Sequence, residues 1–353
     1  MCHHGNMELC DAGLNFGPSE CRGEDDLASR WIAQMLQQRD NNPQQQPFFM
    51  ALGLRKPHTD WTVPQEYFDR FPLDQIQLPQ TLENDLEDIP QKGYRLAKSP
   101  DLQPIITANN MWKQAVQAYL AASSYTDDNL GRVMDVLDNS KNLRDNTIVV
   151  LWSDHGFHLG EKTKWRKSTL WEDATHVPYV IRVPGVDSEE RGAVVRHPVD
   201  LMSMYPTLVE LAFGKDKALR PTVEGHSVAS LVQDPSTKDW FHSALMAYKQ
   251  YQAVRVGDWR YIQYTDGTEE LYRHSSDENE WYNLAGQPEH AEILRELRLR
   301  IVQNPAPEAP RATKNNEGRR QSPRLRNSNF VIIGDGNRVR HRNGQIVEWN
   351  HNS

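Results

Sequence analysis

The chain contains 353 residues, of which 38% are hydrophobic and 25% are charged, as expected for an ordinary globular protein of one large or two medium domains. Its net charge of −8 argues against a general nucleic-acid binder. No apolar run approaches the roughly 20 residues of a membrane helix. Met1-Cys2-His3-His4 also lacks the basic and apolar regions of a signal peptide. The composition therefore predicts neither a nucleic-acid partner nor a membrane span.

The first regular elements are a helix and a strand. Apolar residues recur at helical spacing after an acidic start, which predicts a helix over Asp25 to Gln38. Pro47 to Leu54 is a short apolar run and predicts a buried strand that ends at Arg55-Lys56-Pro57-His58. Residues 71–104 are rich in Pro, Asp and Gln, which indicates a long surface segment.

The middle of the chain predicts a strand–helix–strand crossover. Asn109 to Asp138 has an apolar stripe typical of a long helix that packs on a sheet. Thr147 to Trp152 is apolar and rich in β-branched residues, which predicts a strand buried on both faces of a parallel sheet. A further helix is predicted over Asp200 to Phe213, with Pro206 opening or kinking it.

Polar residues directly follow the strand predicted over Thr147 to Trp152. Ser153-Asp154-His155-Gly156 stands at its carboxyl end, where ligands bind in open α/β sheets. Asp154 offers an oxygen ligand, and His155 offers a nitrogen ligand or a proton carrier. Lys167 follows at a distance that allows it to fold back over the strand end.

The pattern changes to short strands after Ser243. Four such strands are predicted, with a hairpin turn at Asp266-Gly267. Their ranges are Ser243–Tyr248, Ala253–Val256, Arg260–Tyr264 and Glu269–Tyr272. His290 to Val302 is amphipathic and predicts a helix beside them.

The last fifty residues differ again. Residues 304–327 carry four prolines and many basic residues without apolar periodicity, which predicts a disordered linker rather than a nucleic-acid or membrane contact. Residues 329–353 contain three short β-like runs separated by two turn signals, which predicts a meander. This tail weakly resembles part of a concanavalin-like jelly-roll domain.

The string around Asp154 resembles the sulfatase family of the alkaline-phosphatase-like superfamily, most closely the branch with iduronate sulfatase and the choline-sulfatase-like enzymes. The matching residues are Ser153-Asp154-His155-Gly156, Leu159-Gly160-Glu161, Trp165, Lys167, Val177-Pro178 and Pro184-Gly185. Pro47 to His58 and Glu270-Leu271-Tyr272 extend the resemblance to roughly residues 15 to 303. It implies an α/β fold with a mostly parallel sheet flanked by helices, and a small C-terminal antiparallel sheet with one helix.

The resemblance also implies the chemistry of sulfate-ester hydrolysis. Asp154 and His155 are the implied metal ligands. The implied cofactor is a divalent cation, with calcium as the first choice. Lys167 and His58 are the implied catalytic and sulfate-binding residues, with one of them close to the leaving oxygen. His158 and Glu161 are expected to help order the loop and are not predicted to be catalytic. The implied partner is a sulfated small molecule or sulfated sugar, and the family is usually periplasmic, secreted or lysosomal.

Two family elements have no counterpart in the sequence. The family's Cys-x-Pro/Ala-Ser-x-Arg signature, whose cysteine becomes the formylglycine nucleophile, is absent, and Gly17 to Arg22 holds similar letters in the wrong order. The acidic pair of the first family strand is also missing, because Asp25-Asp26 precedes a helix. The simplest expectation is that the nucleophile, the first strands and the signal peptide lie upstream of Met1.

The predicted organisation has four parts. They are an incomplete sulfatase α/β domain over 1–215, a C-terminal α+β subdomain over 216–303, the linker over 304–327 and the β-rich tail over 328–353. Three alternatives to an enzyme acting on sulfate esters stay open: a non-catalytic fragment or pseudo-sulfatase without a nucleophile, a phosphate-ester hydrolase of the same superfamily, and a carbohydrate-binding module in the tail. We expect the chain alone to be inactive.

Overall fold

The computed structural model of the protein describes residues 7–11, 13–42, 46–186, 192–215, 219, 221–303, 305, 338–340 and 346–348. The α-helices within this part are α1 (Met7–Asp11), α2 (Gly23–Asp40), α3 (Gln65–Phe68), α4 (Gln91–Ala97), α5 (Gln103–Ala108), α6 (Trp112–Asp138), α7 (Glu172–Thr175), α8 (Met204–Phe213), α9 (Ala229–Gln233) and α10 (Ala291–Arg298). The strands are β1 (Phe16–Pro18), β2 (Trp61–Val63), β3 (Val149–Trp152), β4 (His158–Leu159), β5 (Trp165–Arg166), β6 (Tyr179–Arg182), β7 (Ala244–Tyr248), β8 (Tyr251–Val256), β9 (Trp259–Gln263), β10 (Glu269–Arg273), β11 (Arg338–Arg340) and β12 (Ile346–Glu348).

The chain divides into two compact units. Of the described residues, the first contains those within 1–78, 104–147 and 338–348, and the second contains those within 79–103 and 148–305. In the first unit α2 packs along α6. Between them the buried Ser29 hydroxyl donates a hydrogen bond to Asn129 Oδ1 at 2.8 Å. Both helices predicted for this region are confirmed.

A parallel strand pair completes the first unit. β1 pairs with β2, with Phe16 opposite Trp61. The Trp61 side chain is fully buried and meets Tyr119 of α6 edge to face, with ring centroids 5.6 Å apart. Its indole Nε1 donates to the carbonyl of Pro57 at 2.7 Å. The buried indole therefore anchors the segment that carries Lys56 and His58.

The strand predicted over Pro47 to Leu54 is wrong. The structure describes this segment without a strand, and Phe49 is 59% exposed. At its end the backbone N–H groups of Arg55 and Lys56 each donate to the Asp25 carboxylate at 2.9 Å. A side-chain cap thus satisfies these backbone donors in place of a strand ladder, and the predicted strand–helix–strand crossover is not formed.

The second unit contains a four-stranded antiparallel sheet in the order β10-β9-β8-β7. Alternate residues face opposite sides, so Val254 packs with Leu294 and Leu297 of α10, while Ala253 packs in a second cluster with Leu96. Gly267 takes a φ of 80° in the turn between β9 and β10, which glycine adopts without steric cost. The four predicted C-terminal strands, the hairpin turn and the helix beside them are confirmed.

The strand before the polar cluster differs from its prediction. β3 pairs with β6 in an antiparallel arrangement. Leu151 is 36% and Trp152 45% exposed, so burial on both faces was a wrong expectation. The physical reason is that, within the described residues, β3 has a single neighbouring strand and therefore an open edge.

Other predictions have mixed outcomes. The helix predicted over Asp200 to Phe213 is confirmed as α8, with Pro206 in its first turn, where the missing N–H costs little. In the tail β11 pairs with β12, whereas Phe330 to Ile333 and almost all of the 304–327 linker lie outside the described residues. Among the described helices, none has the length and apolarity to cross a membrane. The four domain boundaries stay predictions.

Candidate functional site

The loop that leaves β3 has a tightly packed start. The Ser153 hydroxyl donates to the carbonyl of His155 at 2.9 Å, and the N–H of Gly156 donates to the carbonyl of Ala174 at 2.8 Å. A Cβ atom on Gly156 would lie 2.1 Å from the backbone oxygen of Asp173. Only glycine fits there, because backbone occupies the space that a side chain would need.

Asp154, His155 and Lys167 form one cluster in the second unit. His155 Nδ1 lies 2.8 Å from the carbonyl oxygen of Gly156, which is an acceptor and therefore places a proton on Nδ1. His155 Nε2 then carries a lone pair, and the Lys167 ammonium donates to it at 2.6 Å. Asp154 Oδ2 lies 3.6 Å from the same nitrogen, and its side chain is 82% exposed. Three of the four predicted site residues are thus neighbours.

A short hairpin positions Lys167. β4 pairs with β5, which places His158 opposite Arg166 immediately before the lysine. Arg166 and Ser168, on either side of Lys167, both have left-handed backbone, with φ of 73° and 74°. The fully buried Trp165 donates from its indole to Gln103 Oε1 at 2.6 Å. This anchored turn directs the chain back toward His155.

His58 lies in the first unit. Its Nδ1 is 2.7 Å from the carbonyl oxygen of Thr59, and its backbone N–H donates to the carbonyl oxygen of Arg55 at 2.9 Å. Next to it, burial together with the charge of Arg55 lowers the pKa of Lys56 to about 8. The structure therefore orders the Lys56–His58 segment within its own unit, and the convergence of His58 with Asp154, His155 and Lys167 stays a prediction.

The residues around Lys167 do not by themselves form a calcium site. Calcium takes about 6–8 oxygen ligands, whereas Asp154 and His155 supply one carboxylate and one nitrogen. The Nε2 lone pair of His155 already accepts from Lys167, so a positive charge occupies the place where a cation would bind. These two side chains can contribute to a divalent-cation site but do not complete one.

A second group in the same loop was not predicted as a site. His158, Glu161 and Asp173 bring three ligand atoms within 4.8 Å of one another. Burial raises the pKa of the Glu161 carboxyl, and the nearby charge of Asp173 raises it further. Asp173 lies within the motif string but is not one of its matching residues, so the sequence offered no signal that it joins His158 and Glu161.

A buried carboxylate supports the same loop from the C-terminal sheet. Glu270 is fully buried and accepts hydrogen bonds from Tyr264 at 2.5 Å and from Tyr272 and the Trp171 indole at 2.7 Å each. A Cβ atom on Gly93 would lie 2.6 Å from its Oε1. The Glu-Leu-Tyr string was visible in the sequence, but its contact with Trp171, 99 positions away, was not.

Comparison with known proteins decides the family. The sulfatase family model matches residues 12–215, which is more than half of the chain. The chain belongs to the sulfatase family. A second sulfatase model, described as N-sulphoglucosamine sulphohydrolase, C-terminal, matches residues 160–306. Both matches cover the loop that carries Lys167, and the predicted resemblance is confirmed.

Curated sulfatases are similar to this chain over part of their length. A protein named sulfatase from Formosa agariphila is 42% identical over 274 residues, which are 76% of this chain and 52% of the relative. The choline-sulfatase of Rhizobium meliloti is 25% identical over 265 residues, covering 74% of this chain and 51% of that enzyme. The chain therefore spans about half the length of these relatives.

Solved structures support the fold class. A putative sulfatase from Bacteroides fragilis superimposes with a TM-score of 0.60 at 22% identity, covering 78% of this sulfatase-family chain and 57% of that one. A phosphonate monoester hydrolase from Silicibacter pomeroyi gives 0.59 at 21% identity, covering 69% and 53%. At this identity the likeness shows the fold alone. The predicted alkaline-phosphatase-like α/β fold class is confirmed.

Proposed function

We propose that the chain provides the sulfate-binding part of an enzyme that hydrolyses sulfate esters. One observation carries the proposal: the Lys167 ammonium lies 2.6 Å from His155 Nε2, beside the exposed carboxylate of Asp154. An ammonium group next to a proton carrier and a hard oxygen ligand suits an anionic substrate that reacts by proton transfer. Membership of the sulfatase family supports sulfate as that anion.

In this proposal the chain's residues have separate roles. Lys167 turns from His155 to the non-bridging sulfate oxygens and neutralises part of their charge. His58 is a second proposed sulfate-binding residue, and either it or Lys167 gives a proton to the leaving alcohol oxygen. The turn of Lys167 frees the Nε2 lone pair of His155. Sulfate binding and the release of this nitrogen are therefore coupled.

We also propose that Asp154 and the freed His155 contribute two ligands to a divalent-cation site, with calcium as the preferred ion. A bound cation supplies positive charge to the sulfate oxygens and activates the nucleophile. Two ligands are too few for tight calcium binding. The chain alone should accordingly bind calcium no more tightly than about millimolar, the weak end of the range for protein sites.

A sulfated carbohydrate is the proposed substrate class. The human protein named iduronate 2-sulfatase is 32% identical to this chain over 200 residues, although that match covers 47% of the chain and 36% of the enzyme. The match to the C-terminal model of N-sulphoglucosamine sulphohydrolase points to the same chemical class. We place the reaction in the periplasmic, secreted or lysosomal setting that the family resemblance implies.

The alternative is a pseudo-sulfatase that keeps the sulfate site without turnover. The observation that favours it is the absence of a Cys-x-Pro/Ala-Ser-x-Arg signature from the 353 residues. Without a formylglycine nucleophile the covalent route is closed to this chain alone. We therefore expect the purified chain to show no turnover of 4-nitrophenyl sulfate, even with added calcium.

Sulfate binding tests the proposal without relying on turnover. Inorganic sulfate is titrated against the full chain by isothermal calorimetry, and Lys167→Ala should weaken the affinity by about tenfold or more, as expected for a lost charge-assisted hydrogen bond. Lys238→Ala is the matched control, because this lysine is exposed in the same unit. Equal affinities for wild type and Lys167→Ala would remove the proposed role of Lys167.

The turnover assay has its own decisive outcome. If the chain does hydrolyse 4-nitrophenyl sulfate, Asp154→Ala should abolish that activity because the carboxylate is a proposed cation ligand. An active chain whose Asp154→Ala variant is equally active would show that the catalytic site lies elsewhere.

A further inference from the structure

A fully buried histidine lies beneath the loop that carries Lys167. His158 has no exposed surface, and its Nε2 lies 2.7 Å from the Thr169 hydroxyl. Its Nδ1 is a buried atom without a hydrogen-bond partner among the described residues. Such a group is costly unless something satisfies it, because burial removes the water that would otherwise bond to the ring.

The free nitrogen points into a small group of carboxylates. Asp173 Oδ2 lies 3.4 Å from His158 Nδ1, and a Glu161 oxygen completes a set of three ligand atoms within 4.8 Å of one another. Two ligands bound to zinc at about 2.0–2.1 Å and separated by the tetrahedral angle lie about 3.3–3.4 Å apart. The observed separation of Nδ1 and Oδ2 therefore matches the separation expected for two ligands of one metal ion.

The charges of the group also favour a cation. Glu161 and Asp173 bring two carboxylates together, and neither forms an ion pair with a lysine or arginine within the described part of the chain. Glu161 accepts a hydrogen bond from the N–H of Leu159 at 2.6 Å through Oε2, which fixes the orientation of its carboxylate. The Thr169 hydroxyl forms a hydrogen bond with Nε2, the other ring nitrogen of His158. Metal-bound histidines commonly form such a bond through the nitrogen that does not bind the metal.

We propose that His158, Glu161 and Asp173 bind one divalent transition-metal ion, with zinc as the best match. Histidine nitrogen and carboxylate oxygen are both ligand types that zinc accepts, and the three side chains supply three of its usual four ligands, with water in the fourth position at the exposed Asp173 side. The ion connects the β4–β5 hairpin to α7 and so closes the loop on which Lys167 lies. Its role is structural, and it does not depend on the proposed sulfatase activity.

Zinc binding to the full, chelator-stripped chain tests this proposal. Titration of zinc chloride by isothermal calorimetry, with metal content measured by mass spectrometry after dialysis, should give one zinc ion retained per chain. Asp173→Asn should lower the zinc affinity by at least about tenfold, the loss typical even of outer-shell changes. Asp173 is 41% exposed, so this variant should keep the fold. Glu161→Gln should lower the affinity in the same way.

The controls exclude other metal-binding groups. Asp258→Asn, an exposed acid in the same unit, and His3→Ala/His4→Ala, near the chain start, should retain zinc at the wild-type level. Asp154→Asn should also retain zinc. A loss of zinc in this variant would show that the ion binds at the cluster of Asp154, His155 and Lys167 instead. Wild-type chain that binds no zinc at 100 µM, or Asp173→Asn that binds it unchanged, would show that the three side chains form only an ion-pair group.

Discussion

Lys162 and Asp85 form a buried ion pair whose removal should strongly destabilise the second unit. Both side chains are 2% exposed, and Lys162 Nζ lies 2.7 Å from Asp85 Oδ1. The ammonium also donates to the carbonyl of Glu280 and lies 5.4 Å from the ring centroids of Trp171 and Tyr272. Burial raises the pKa of the Asp85 carboxyl, while the lysine opposes that effect.

Lys162→Met leaves Asp85 buried without its counter-ion. Breaking a buried pair by removing one partner costs about 3–5 kcal/mol. For a unit of this size the midpoint of thermal unfolding should fall by about 6–20 °C, at about 2–4 °C per kcal/mol. Lys162→Met/Asp85→Asn should recover part of the loss, because the double variant no longer buries an uncompensated charge.

Urea unfolding followed by circular dichroism and tryptophan fluorescence measures these changes. Lys238→Met, an exposed lysine in the same unit, should change the free energy of unfolding by less than about 0.5 kcal/mol. A loss below about 1 kcal/mol for Lys162→Met, or strictly additive effects in the double variant, would refute the argument that this pair is energetically coupled.

Two further variants and one titration test other contacts. Gly156→Ala should lower the free energy of unfolding, measured in urea, by about 1–3 kcal/mol, because its Cβ would lie 2.1 Å from the backbone oxygen of Asp173. An unchanged free energy of unfolding would show that the backbone around Gly156 can move to accept a side chain. Burial opposes ionisation of Glu280, but Arg260 outweighs it and lowers the pKa to about 2 from an ordinary 4.5. The stabilising contribution of the ionised Glu280 is therefore present above pH 4.5 and is lost as pH falls toward 2. Over this range the free energy of unfolding should fall by about 3 kcal/mol more in the wild type than in Glu280→Gln, as measured by urea unfolding at each pH. If the free energies of unfolding of the wild type and Glu280→Gln fell in parallel with pH, the lowered pKa of Glu280 would be contradicted. Lys56, with its pKa near 8, should titrate below the exposed lysines in carbon-13 spectra of the dimethylated protein, whereas a midpoint above 10 would show a solvated ammonium.

The parts of the site that lie close together in sequence were predictable. Asp154, His155 and Lys167 lie within 14 positions, so one loop and one hairpin can bring them together, and the contact of Lys167 with His155 spans 12 positions. The long α6 helix was equally readable because its stripe repeats over many turns. Local patterns of this kind contain most of the information on which their structure depends.

Contacts between distant segments were not predictable. Lys162 meets Asp85 across 77 positions, and the Trp171 indole meets Glu270 across 99. Nothing in the residue types selects these pairs, because lysine and glutamate are usually solvated. The contact of Asp173 with His158 spans only 15 positions, but it was not predicted because Asp173 is outside the residues that match the family pattern.

The error at Pro47 to Leu54 has a different cause. Its aromatic and aliphatic residues have high strand propensity, but propensity describes a fit to a pleated, half-buried surface rather than a backbone rule. Here Asp25 on another element accepts the N–H groups of Arg55 and Lys56. A tertiary hydrogen bond therefore overrides the local preference.

The open edge of β3 has a consequence for the behaviour of the chain in solution. Among the described residues β3 is bonded only to β6, and Leu151, Trp152 and Val180 of this pair are partly exposed. An apolar strand with unpaired backbone groups is a template on which another strand can add. We therefore expect such chains to associate edge to edge at high concentration, and we expect a lysine substituted at an outward position of β3 to reduce that association.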